Sequence, residues 1–201
     1  MVFHKYQLIF TGIPKNASTS IFMMLRNPTD NHHHHQSLVS DYNSNDSELM
    51  DFYQNITIVR NPYDRFISAC YQIRRDDYGQ NGNKNLNEIF EQEFIEKPAV
   101  EGYINEVFIP QHKFICFGKT ILADTILRYE SLEQDWKKFA EEYNKTAKFL
   151  LPSKLLKFNN SPERGSYKEE LKDLSYENLQ LINKKYDLDF ELFGYEIQNK
   201  F

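Results

Sequence analysis

This sequence of 201 residues predicts an α/β domain in which a central, mainly parallel sheet is flanked by helices. Three observations carry that reading. Leu8-Ile9-Phe10 is a short apolar run stopped by Gly12 and Pro14, and residues 56–59 form a second run stopped by Asn61-Pro62. Continuous apolar runs of this length, closed by glycine or proline, fit strands buried on both faces, as parallel sheets require. Hydrophobic residues at 40% and charged residues at 26% are ordinary globular values, and the length suits one domain over residues 1–201.

Residues 7–20, QLIFTGIPKNASTS, read as a strand, a tight polar turn carrying Lys15, and a helix start. The hydroxyls of Ser18, Thr19 and Ser20 suit a helix N-terminus, where they accept hydrogen bonds from the first unpaired amides. Free amides, the positive end of the helix and the lysine then converge on one spot, a geometry that binds a phosphate or a sulfate-like group. The order is not GxxxxGK[ST]: the lysine precedes the hydroxyls, and Gly12 is followed by Ile13-Pro14. A plain strand–loop–helix crossover with a surface lysine is the alternative.

Residues 55–71, NITIVRNPYDRFISACY, repeat the pattern. A β-branched run ends in Arg60, and Pro62 suits the first turn of a following helix because its missing N–H costs nothing there. On that helix Phe66, Ile67 and Cys70 are placed to face the sheet, with Arg60 and Ser68 toward the mouth of a site. The alternative is that Arg60 and Arg65 pair with acids such as Asp64, with Ser68 on the helix surface.

The two stretches together resemble the PAPS-dependent sulfotransferases, closest to the carbohydrate (Golgi-type, sulfotransferase family 2-like) branch. PAPS is the sulfuryl donor 3′-phosphoadenosine 5′-phosphosulfate. The resemblance implies a P-loop-like fold. It implies that the segment Pro14, Lys15, Asn16, Ala17, Ser18, Thr19 and Ser20 forms the 5′-phosphosulfate loop, and that Arg60 and Ser68 ligate the 3′-phosphate. Weaker similarity continues through residues 108–115, 128–136, 159–167 and 186–195. In the third of these a late basic loop carries Arg164, which the resemblance places at the 3′-phosphate.

Pro28 ends the first helix, and the run His32-His33-His34-His35 follows. A solvated loop is the plain reading; a zinc site lacks the cysteines or spaced histidine pair it needs. The functional reading makes one loop histidine, with His34 and His35 as the candidates, the general base toward the acceptor hydroxyl, since imidazole titrates near neutral pH. His112, beside Phe108 and Phe114, is a second base candidate or a packed histidine. Arg74 and Arg75 meet either an anionic acceptor or Asp76 and Asp77. Further along, residues 86–96 have the spacing of an amphipathic helix, residues 123–129 read as a strand, and Ser131 is placed to cap a helix through Tyr143 with Leu132, Trp136 and Phe139 inward. Helices follow over 168–173 and 176–186.

A net charge of −5 argues against general nucleic-acid binding. Cys70 and Cys116 sit in apolar contexts and read as buried thiols, which fits a reducing compartment. With no charged leader and no apolar run long enough to span a membrane, the expectation is a cytoplasmic protein. The implied chemistry is in-line transfer of a sulfuryl group to a hydroxyl, on a carbohydrate by the resemblance, with Lys15 and loop amides stabilising charge on the bridging oxygen. The partners expected are PAPS, its product 3′,5′-ADP and that acceptor, with no metal. A P-loop-type nucleotide kinase and a non-catalytic nucleotide-binding protein are the alternatives.

Overall fold

In the computed structural model, residues 1–26, 47–76, 84–95, 106–156 and 166–199 are described. In chain order the elements are β1 (Val2–Phe3), β2 (Leu8–Thr11), α1 (Ser18–Leu25), α2 (Ser47–Phe52), β3 (Gln54–Val59), α3 (Pro62–Asp76), α4 (Leu86–Ile89), α5 (His112–Ile115), β4 (Cys116–Phe117), β5 (Thr120–Ile121), β6 (Thr125–Arg128), α6 (Leu132–Tyr143), α7 (Tyr167–Leu171), α8 (Tyr176–Lys185) and α9 (Asp187–Phe193). By its contacts the chain divides into two units. One is Met1–Arg60 with Gln111–Asn160; the other is Asn61–Pro110 with Ser161–Phe201.

The first unit holds a four-stranded sheet in the order β1-β2-β3-β6. β2 runs parallel to β3, with Leu8 opposite Gln54, and β3 runs parallel to β6, with Ile56 opposite Thr125. β1 is antiparallel to β2. The mainly parallel sheet expected from the apolar runs is therefore present, and all four residues of β2 are buried. Leu8, Phe10, Ile56 and Ile58 pack with Ile21, Phe22 and Leu25 of α1 and with Leu132, Trp136 and Phe139 of α6. Each such side chain contributes about 1.5–3 kcal/mol on burial. The indole of Trp136 donates to the Pro152 carbonyl at 2.8 Å, so its polar edge is satisfied inside the core. Ser131 precedes α6 without capping it; its hydroxyl donates to Asp135 Oδ2, which also accepts from the Arg128 amide, both at 2.9 Å. A short hairpin, β4 with β5, turns at Gly118, whose φ of +60° favours glycine.

The described residues of the second unit form helices that share a cluster of aromatic contacts. Phe66 of α3 lies 5.9 Å from Phe90, 5.7 Å from Phe94 and 5.7 Å from Phe108, centroid to centroid. Phe66, Ile67 and Cys70, read from the sequence as facing the sheet, are buried in this cluster. The helix period is as expected, but its apolar stripe meets the phenylalanine-rich segment that follows it. α4 opens with a reciprocal capping box between Asn85 and Glu88 and continues through wider π-helical turns over Phe90–Ile95. The Tyr63 hydroxyl donates to Asn183 Oδ1 and accepts from the Gln198 amide at 2.8 Å. Arg65, Tyr186 and Asp189 form a buried polar group within the same unit. Cys70 and Cys116 are both free and buried, as their apolar contexts predicted.

Candidate functional site

The site is built where β2 and β3 end. Gly12 follows β2, and a Cβ there would stand 2.5 Å from the tip of Met1 and 3.1 Å from Ser18 Cβ, so a side chain would displace the methionine tip and crowd the start of α1. The chain then turns, with the Asn16 amide donating to the Ile13 carbonyl. Lys15 has φ +71° and Ala17 has φ +59°, left-handed conformations for residues that carry a Cβ. Each costs about 1–2 kcal/mol and persists only if neighbours hold it.

Ala17, not a hydroxyl residue, occupies the position before the first turn of α1, and the helix has no side-chain cap. Ser18, Thr19 and Ser20 lie inside the first turn, which corrects the expectation that they cap it. The left-handed Ala17 redirects the chain one residue too early for their oxygens to reach back. Ser18 and Ser20 are buried and Thr19 is exposed; Pro14 is buried, and Lys15 is half-buried. A helix start without a side-chain cap is what an anion-binding terminus requires.

Asn16 is fully buried. Its Nδ2 donates to the Ile58 carbonyl and to Gln111 Oε1, each at 2.7 Å, while its Oδ1 has no partner. An orphaned buried acceptor costs about 1–3 kcal/mol. Gln111, also fully buried, accepts from the Arg60 amide at 2.9 Å and donates to the Arg60 carbonyl at 2.8 Å. Arg60, only 2% exposed, donates from Nη1 to the Lys15 carbonyl at 2.8 Å and stacks over Tyr129, 3.9 Å from the ring centroid. Lys15 and Arg60, predicted from two separate motifs, are thus brought together.

A cavity of about 360 Å³ opens beside these groups, lined by Ala17, Ser20, Tyr129 and Ser131 among others. A larger groove, about 770 Å³, lies at the opposite strand ends, lined by Gln7, Gln54, Thr125 and aromatic residues including Tyr53 and Phe149. Ligands of open parallel sheets bind outside the carboxyl ends of the strands. The smaller cavity is therefore the one that belongs with the loop.

Ser68 is buried on α3, in the second unit, and His112 is buried as the first residue of α5. His34, His35 and Arg164 lie outside the described residues. Among the described residues no cluster of His, Cys, Asp and Glu has the makings of a metal centre, and no helix is long and apolar enough to cross a membrane. Sequence reading missed Gln111 and Tyr129 as site residues. They lie within the stretches 108–115 and 128–136, and neither stands in a pattern that marks a partner tens of residues away.

The chain matches the Sulfotransferase family over residues 1–196, and it belongs to that family, whose members are PAPS-dependent transferases. No curated protein and no solved structure matched it. The family decides against the kinase alternative. It also spans the residues of both units.

Proposed function

We propose that this sulfotransferase acts on a carbohydrate hydroxyl, and that the two units serve as one catalytic domain. The observation that carries the site is the 2.8 Å hydrogen bond from Arg60 to the Lys15 carbonyl. It joins the loop read as the 5′-phosphosulfate site to the strand end read as the 3′-phosphate site. When bound, PAPS supplies an activated sulfuryl group; Lys15 and the uncapped amides at the start of α1 stabilise the charge that develops on the bridging oxygen. Pro14, Asn16, Ala17, Ser18, Thr19 and Ser20 shape that loop. Arg60, with Ser68 and Arg164 by family resemblance, fixes the other end of the donor and so its alignment for in-line attack. One of His34 and His35 takes the acceptor proton. Resemblance to the carbohydrate branch supports the acceptor class, and two free buried thiols support a reducing compartment, the cytoplasm.

The test is transfer of radiolabelled sulfate from PAPS across a panel of glycans, with phenols and hydroxysteroids as the contrast. Labelling confined to glycans is expected, and labelling of the small aromatic or steroid hydroxyls alone would overturn the acceptor class. In the same assay, changing residues 32–35 together to alanine lowers turnover about 10²-fold with 3′,5′-ADP binding intact; unchanged turnover moves the base elsewhere.

A further inference from the structure

We infer that Gln111 and Asn16 are a positioning pair that holds Lys15 in its working attitude, an inference that rests on the donor-loop reading above. The pairing of β3 with β6 ends at Val59 opposite Arg128, so the backbone of Arg60 is the first beyond the ladder. Gln111 supplies what the next ladder partner would. Its amide takes the Arg60 N–H at 2.9 Å and gives to the Arg60 carbonyl at 2.8 Å. The same Oε1 accepts from Asn16 Nδ2 at 2.7 Å, which relays the fixed strand end into the loop.

Asn16 has only one usable orientation. Its Nδ2 faces two oxygens, those of Gln111 and Ile58, and the reversed amide would set Oδ1 against both. The residue stands between Lys15 at φ +71° and Ala17 at φ +59°. A loop with left-handed, non-glycine residues on both sides of its anchor relaxes unless the anchor is rigid. The anchor here is buried completely and leaves Oδ1 without a partner. The two 2.7 Å bonds from Nδ2 fix where this anchor sits, and with it the left-handed residues on either side. From the other side, Arg60 Nη1 grips the Lys15 carbonyl. Gln111 therefore acts through Lys15 on the rate and through Arg60 on donor binding, touching no reacting atom itself.

A double-mutant cycle on the full chain tests the pair. Gln111→Met, close in volume, lowers kcat at saturating PAPS by about 10²-fold, the scale on which an ångström of misplacement acts. In the Lys15→Ala background the same change lowers kcat by less than about two-fold, because there is no longer a lysine to position. Equal factors in both backgrounds overturn the pairing and mark Gln111 as merely structural. If Lys15→Ala by itself leaves kcat unchanged, the donor-loop reading falls and this inference with it, so the two failures are distinguishable. Should Gln111→Met not yield folded protein by circular dichroism, Asn16→Ala carries the same cycle with the bonds between Gln111 and Arg60 intact. Additive losses there overturn the inference equally.

Discussion

Two arginines close in sequence are buried in opposite ways. Arg60 is 2% exposed and Arg65 is 1% exposed. Arg65 lies in an aromatic core with the Tyr186 hydroxyl and the fully buried Asp189, a polar group closed within the second unit. Arg60 is oriented by a peptide carbonyl, an aromatic face and a glutamine that holds its own backbone, at the carboxyl ends of parallel strands. Arg65 sits beside the tyrosine and carboxylate of its own unit, whereas Arg60 is held by backbone and ring atoms where the parallel strands end. Burial alone does not distinguish the two settings, but the groups around each arginine do.

Substitution sharpens the contrast. Arg65→Ala removes a large buried side chain together with its hydrogen bond to the Tyr186 hydroxyl, at a cost of about 3–5 kcal/mol. Urea unfolding measures this, and a loss under about 1 kcal/mol erases the distinction between the two arginines. Lys15→Ala lowers kcat at saturating PAPS 10²–10³-fold, about 2.7–4 kcal/mol, with a smaller loss in affinity for 3′,5′-ADP, which lacks the sulfuryl group. Equal losses in both quantities mean that the lysine serves ground-state binding only.

Arg60→Ala weakens 3′,5′-ADP binding by about 1.5–3 kcal/mol, as titration calorimetry reads it, while the fold survives. Unchanged binding removes Arg60 from the donor site. The smallest effect is on alkaline stability. Burial pushes the Tyr63 phenol up to about 12, and it raises Tyr186 and Cys70 in the same direction. Between pH 10 and about 12 the unfolded chain has released the Tyr63 proton and the folded chain has not, so stability is full below pH 10 and falls as pH rises. Tyr63→Phe costs about 1 kcal/mol near neutrality and makes that alkaline decline shallower. An identical slope in the variant places the titration elsewhere.

Much of this was legible in the residues. Leu8-Ile9-Phe10 and the run ending at Val59 announced their strands because a parallel sheet writes burial as a continuous apolar stretch. Leu132, Trp136 and Phe139 announced the inner face of α6 by their spacing. The destination of Phe66, Ile67 and Cys70 was not legible, since periodicity says which face of a helix is apolar and not what it meets. The cap of α1 was misread because left-handed Ala17 displaces the hydroxyls by one residue, and alanine gives no sign of that conformation. Gln111 was invisible for a different reason. Its partners, Asn16 and Arg60, come together only after the sheet has formed.

The register of the sheet also sets how the protein reaches this state. Phe10 pairs beside Ile56, and Ile56 beside Thr125, each across a long stretch of intervening chain. Contacts of that separation are closed late, because the entropy of the loop is lost before the ladder returns anything. Until then the edge of β2 that β3 will cover is a bare apolar edge with unpaired backbone, the kind through which chains associate. Expression at low temperature, or slow release to chaperones, favours this chain over rapid accumulation. The feature that gives the donor loop its rigid base is thus also the slowest part of the molecule to assemble.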